Sequence, residues 1–272
     1  MTRGKSKLLA DARWLKRHRR DQNLLLIDAR SATDYWAGHL RGARHFDPFP
    51  FHYYDTSPRG VAEFIAQLEW IFSALGITGR ETVVFYEQQS GMRAARCVWL
   101  LEYAGHTKVR MLDGGLGAVG EKLVTAAPRF ELTAFKAKPH EDISATYPYI
   151  LEKLGLPEVQ IFDVRTDEEF FGERVRAKHG GAIGGAIHED WTRELGPDGT
   201  VKPAHELREQ FERLGLKPEN EIIAYCQGGY RAAHAYIALR RAGYGNVRNY
   251  YGSWGEWGNR DELPIDHPRR KH

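Results

Sequence analysis

The stretch Ile222-Ile-Ala-Tyr-Cys-Gln-Gly-Gly-Tyr-Arg231-Ala-Ala decides how the chain is read. A short apolar run ends at Cys226, paired glycines follow, and a helical pattern starts near Arg231 with Ala235 and Leu239 on one face. A run this short, bounded by polar residues, is a buried strand of a parallel sheet. The segment is therefore a strand-to-helix turn, which in open parallel sheets lies at the carboxyl edge where ligands bind.

The turn occurs twice. Val83-Val-Phe-Tyr-Glu-Gln-Gln-Ser-Gly-Met-Arg93-Ala-Ala repeats it half a chain earlier, with Glu87 where the second copy has Cys226 and a loop one residue longer. Downstream, Tyr103-Ala-Gly-His-Thr-Lys-Val matches Arg241-Ala-Gly-Tyr-Gly-Asn-Val, and Asp113-Gly-Gly-Leu-Gly matches Tyr251-Gly-Ser-Trp-Gly. Upstream, Leu25-Leu-Ile-Asp-Ala-Arg30 matches Gln160-Ile-Phe-Asp-Val-Arg165, and His39-Leu-Arg-Gly-Ala43 matches Ala182-Ile-Gly-Gly-Ala186. The blocks keep their order in both halves, the signature of a duplicated domain. Leu24–Ile27 and Val159–Phe162 are further short apolar strands. Phe64, Leu68, Ile71 and Leu75 after Gly60-Val61 mark one helix face, and 206–214 repeats the idea. Strand and helix alternation predicts an α/β class in which each domain is a parallel sheet flanked by helices. Thr125–Tyr149 lacks periodicity and is rich in Pro, Lys and Thr, which places a linker at 129–146 between domains at 1–128 and 147–272.

Composition is that of an ordinary globular protein: 272 residues, 42% hydrophobic, 28% charged, net charge +3. Mild basicity suits a small anionic substrate and does not call for nucleic acid. The basic runs Lys16–Arg20 and Arg269–His272 come with no stacking module or zinc motif. Only two cysteines are present, Cys97 and Cys226, with no CxxC pair, which argues against a metal ribbon, a redox dithiol or a disulfide scaffold. No apolar run approaches a membrane span, and no signal-like apolar core follows the basic start; a cytoplasmic location is expected.

The turn at Cys226 has the physics of a reactive thiol. Gly228 and Gly229 let the backbone curl so that successive amides form an anion nest, the following helix adds partial positive charge, and Arg231 adds a full one. Each favours thiolate over thiol. Cys97 lies inside a helical pattern and reads as core. Arg231 is expected to hold a donor's oxyanion end or to buttress the loop, and Asp163, at a strand end, to fix loop geometry by pairing with an arginine. Trp254 and Trp257 are placed at the pocket wall or in the core.

The chain resembles the tandem-domain rhodanese family of thiosulfate and 3-mercaptopyruvate sulfurtransferases. The resemblance rests on Ile27-Asp28-Ala29-Arg30 with Gly38-His39-Leu40-Arg41-Gly42-Ala43, on the loop Cys226–Arg231, and on Tyr251-Gly-Ser-Trp-Gly-Glu-Trp-Gly258. It implies two tandem rhodanese-like domains: an inactive first one, with Glu87 in place of cysteine, and a catalytic second one. It implies Cys226 as the persulfide carrier, with Gln227, Gly228, Gly229, Tyr230 and Arg231 as the substrate loop. Arg176 and His188, with Arg174 and Arg193, fall in segments that flank the family's site. No cofactor and no metal are implied; the partners are a small anionic sulfur donor and a thiophilic acceptor, either a small molecule such as cyanide or a thiol protein. The second half reads Gly181-Ala-Ile-Gly-Gly-Ala186 where the family has Gly-His-Ile-Pro-Gly-Ala, and Gln227–Tyr230 matches neither family loop, so the donor stays open. A cysteine phosphatase or arsenate reductase is the rival enzyme; its loop needs seven residues, whereas Cys226 to Arg231 spans six. A non-catalytic sulfur carrier or regulatory module is the other rival.

Overall fold

The structure, a computed structural model, describes residues 8–270; Lys271 and His272 of the basic C-terminal run lie outside the described residues. The first half contains β1 (Leu9–Ala10), α1 (Ala12–His18), β2 (Leu24–Asp28), α2 (Ala32–Ala37), β3 (Arg44–His45), α3 (Pro58–Ala74), β4 (Thr82–Tyr86), α4 (Met92–Tyr103) and β5 (Val109–Leu112). The second contains β6 (Ser144–Ala145), α5 (Tyr147–Lys153), β7 (Val159–Asp163), α6 (Asp167–Phe170), β8 (Ile187–His188), α7 (Ala204–Arg213), β9 (Glu221–Tyr225), α8 (Tyr230–Arg241), β10 (Val247–Tyr250) and α9 (Ser253–Trp257). Each half builds a five-stranded parallel sheet, ordered β1-β5-β4-β2-β3 and β6-β10-β9-β7-β8. The α/β expectation and the duplication hold. No helix among the described residues is long and apolar enough to cross a membrane.

Local rules account for most element ends. α3 starts at Pro58 rather than Val61 because the Ser57 hydroxyl caps it, accepting from the Gly60 amide, and proline suits the first helical turn. Gly60, Phe64, Leu68 and Ile71 form its buried face. β9 is buried along its whole length between β7 and β10, so the chain leaving it emerges at the middle of the sheet edge.

The segment expected as a linker is packed against the first domain. Within 129–146 the Thr133 hydroxyl donates to the Ile77 carbonyl, the Phe135 amide to the Ser73 hydroxyl and the Lys138 amide to the Ala104 carbonyl, while the Phe135 ring is buried. The segment's end, Ser144–Ala145, is β6, the edge strand of the second sheet. A two-residue strand is too short to show periodicity.

The two halves share one hydrophobic core, in which α4 packs on α8. Both helices are buried on nearly every face. Alanines at 94, 95, 232, 233, 235 and 238 let their backbones approach closely. This packing sets the starts of the two helices, and hence the two matched loops, near one another.

Candidate active site

The loop between β9 and α8 wraps around the Cys226 sulfur. Gly229, with φ 80° and ψ 6°, adopts the left-handed conformation that glycine tolerates, and its amide donates to Sγ at 3.2 Å. The Cys226 amide donates to the Ser253 hydroxyl at 3.1 Å, while its carbonyl accepts from the Trp254 amide at 2.9 Å. Only 1% of Cys226 is exposed. Burial pushes its thiol up, but the Arg231 guanidinium and the amides of Ala232, Gly228 and Gly229 outweigh it and hold the thiol below its ordinary value.

Arg231 is paired with a buried carboxylate. Its guanidinium binds both carboxylate oxygens of Glu169, at 2.5 and 3.0 Å. Glu169 is fixed by a reciprocal cap at the start of α6, where the Thr166 hydroxyl accepts from the Glu169 amide and the Glu169 carboxylate accepts from the Thr166 amide. Burial would raise the Glu169 carboxyl; Arg231 more than reverses this and brings it to about 2. Arg176 joins the same carboxylate at 3.2 Å, with its side chain 47% exposed. It is a solvent-facing cation at this cluster, and its carbonyl accepts from the Gln227 side-chain amide at 3.0 Å.

The other expected residues fall in several places. Asp163 forms a fully buried two-oxygen pair with Arg165, whose guanidinium also donates to the Gly181 carbonyl. Asp28 and Arg30 make the same arrangement with Gly38 in the first half. Through Arg165 the Asp163 pair holds Gly181, in the segment before β8. His188 is committed elsewhere: one ring nitrogen meets the Asp163 carbonyl and the other the Asp167 carboxylate, both at 3.0 Å, and the ring stacks on Phe170. Trp254 and Trp257 are core, their indole N–H groups donating to the His179 and Pro264 carbonyls. Trp254 lies beneath the loop and supports it through its amide. The Tyr230 hydroxyl donates to the Pro48 carbonyl of the first domain at 2.6 Å. Arg174 and Arg193 are exposed.

Several site residues escaped the sequence. Tyr54 and His52, from the first domain, cover the loop. A side chain at Gly228 would come within 2.4 Å of the His52 ring nitrogen, and one at Gly255 within 2.1 Å of the Tyr54 ring. Arg96, in α4, reaches the Gly229 carbonyl at 3.4 Å, beside the Asn249 side-chain amide at 3.0 Å. Ser253 sits at φ 53°, a conformation rare outside glycine, which aims its hydroxyl at the Cys226 amide. The Thr166-Asp-Glu-Glu169 cap was a readable signal; the first-domain contacts had none.

The matched loop of the first domain is built differently. Glu87 accepts from the amides of Arg93 and Ala94 at 2.8 and 2.9 Å, so a carboxylate fills that loop's own cradle. Burial keeps its carboxyl above the ordinary range despite those amides. Cys97 is fully buried, and burial pushes its thiol well up.

Fold and site define a class: a tandem α/β protein with a cysteine cradle in its second domain. Comparison with known proteins agrees. The family model described as Rhodanese-like domain matches residues 11–122 and again 146–260. The chain is 34% identical over 249 residues to the thiosulfate sulfurtransferase of Azotobacter vinelandii, covering 89% of this chain and 91% of that protein. It is 31% identical over 278 residues to the sulfur carrier protein TtuD of Thermus thermophilus, covering 95% and 96%. Among solved structures, wild-type EanB superposes with a TM-score of 0.85 at 22% identity, covering 99% of this chain and 72% of that one, a likeness of fold alone. The chain belongs to the rhodanese family. It is a sulfurtransferase of two rhodanese-like domains.

Proposed function

We propose that the protein takes a sulfane sulfur from thiosulfate onto Cys226 and passes it to a thiophilic acceptor. The observation that carries this reading is the Cys226 sulfur, buried in a nest of amides and held below the ordinary thiol range beside Arg231. The Cys226 thiolate attacks the outer sulfur of thiosulfate. A sulfur–sulfur bond forms to Cys226, the bond to the sulfonate breaks, and sulfite leaves with that electron pair. The persulfide carries one negative charge, as the thiolate did, so the same amides hold both states. Cyanide or an acceptor thiolate then attacks the outer sulfur, giving thiocyanate or a new persulfide and regenerating the Cys226 thiolate. Arg176, exposed at the cluster, supplies a cation for the donor's oxyanion end, while Arg231 stays with Glu169. The relatives named for thiosulfate favour that donor over 3-mercaptopyruvate, and the sulfur carrier relative favours a thiol acceptor.

Intact mass spectrometry after incubation with each donor tests the reading. Sulfur should add to the wild-type chain from thiosulfate and not to Cys226→Ser. Loading from 3-mercaptopyruvate alone would change the donor. Phosphatase activity lost in Cys226→Ser, with no sulfur loading, would replace the reading by the phosphatase one.

A further inference from the structure

Arg96 is a wholly buried guanidinium, 1% exposed, with no carboxylate in ion-pair reach among the described residues. Aromatic rings surround it: Trp99 at 5.0 Å, Tyr230 at 5.3 Å, Phe64 at 5.8 Å and Tyr251 at 6.0 Å from its central carbon. Rings attract a cation through their faces but do not neutralise it. Guanidinium stays charged in proteins, so this is a standing positive charge in a low-dielectric interior, an arrangement that costs stability unless an anion compensates. Burial lowers the Arg96 guanidinium from its ordinary value; Tyr230, Cys226 and Tyr251 are the ionisable groups acting on it most, and burial holds both phenols in the neutral state.

The geometry runs from Arg96 to the sulfur in two short steps. Its Nη1 reaches the Gly229 carbonyl, which Asn249 also holds. The amide of that same left-handed Gly229 donates to Sγ. The other charged groups at the loop are Arg231 and Arg176, both bound to Glu169, with Tyr54 and His52 covering it. The Glu169 carboxylate cancels part of their field, whereas that of Arg96 is uncancelled.

We propose that Arg96, a residue of the first domain, is a positioning residue for the second domain's active site: it clamps the Gly229 carbonyl and sets an uncompensated positive charge behind the anion on Cys226. The domain that carries Glu87 at the position of Cys226 therefore supplies part of the electrostatics that activate it. This inference rests on Cys226 being the sulfur-carrying thiolate.

The test is the pH profile of Cys226 alkylation by iodoacetamide, read by intact mass, in the full-length chain. Arg96→Met should move the midpoint up by about one pH unit and slow alkylation roughly tenfold below the midpoint. Arg96→Lys should stay close to wild type. Arg96→Gln keeps a donor for Gly229 without charge; it should shift like the methionine variant and serves if that one does not fold. A purely structural Arg96 would lower the melting temperature and leave the profile of folded variants unmoved, which would overturn the inference. A lysine variant shifted as far as the neutral ones would overturn it too. If the wild-type thiol itself titrates as an ordinary one, the sulfur-transfer reading falls first; if it is acidic and remains so without the Arg96 charge, only this inference falls.

Discussion

Glu169 shows how much of the candidate site depends on a residue that binds its cations, Arg231 and Arg176. Its side chain, 2% exposed, balances Arg231, which faces Cys226. Removing one partner of a buried pair leaves the other charge stranded, so Glu169→Gln should cost about 3 kcal/mol in urea denaturation near neutral pH. The sign with pH follows from a carboxyl whose folded value, about 2, lies below its unfolded one. Its contribution is complete above the ordinary glutamate range and is lost as pH falls through the folded value. The stability gap between wild type and variant should thus be flat at neutral pH and close between roughly pH 4 and 2. A gap that persists unchanged in acid would mean that the pair does not carry the difference. The sequence made Cys226 and its glycines legible because their chemistry is local. It placed Arg231 beside them but not its partner: a Thr-x-x-Glu pattern announces a helix start and says nothing of which cation that glutamate will meet across the fold.

At the scale of elements, the turn between β9 and α8 works because one residue bends the other way. A side chain at Gly229 would lie 2.7 Å from the Arg96 Nη1 and 2.8 Å from the Tyr251 backbone, in a conformation that L residues rarely adopt. Gly229→Ala should lower stability by about 2 kcal/mol or more, measured by thermal melting, and slow Cys226 alkylation by withdrawing the Gly229 amide from Sγ. Unchanged alkylation in a destabilised variant would separate the bend from the thiol's reactivity. The strands, helices and duplicated turn were readable because period and order survive in a single sequence. β6 was not, since two residues carry no period. Nor was the cover made by His52 and Tyr54: the segment 49–56 is aromatic without rhythm, and its contact with Gly228 exists only once the domains have packed.

At the scale of the molecule, the halves are stitched by polar contacts as well as by the shared core. The Glu256 carboxylate of the second domain accepts from the Thr56 amide at 2.7 Å and the Thr56 hydroxyl at 2.6 Å, and the Tyr250 hydroxyl adds a third bond at 2.8 Å. Arg241 pairs with Asp113 across the same boundary. Glu256→Ala strands two buried donors of Thr56 and should cost about 2–4 kcal/mol, with calorimetry showing a broadened or split transition as the halves begin to melt separately. A single unshifted transition would assign the cohesion to α4 and α8 alone. The self-filled loop of the first domain bears on stoichiometry. Glu87 already occupies the place where a cargo atom would be carried, and Cys97 is sealed in the core. Although the chain holds two copies of the architecture, the proposed role of Cys226 predicts a capacity of a single equivalent per polypeptide, and a titration against donor should reach its plateau there.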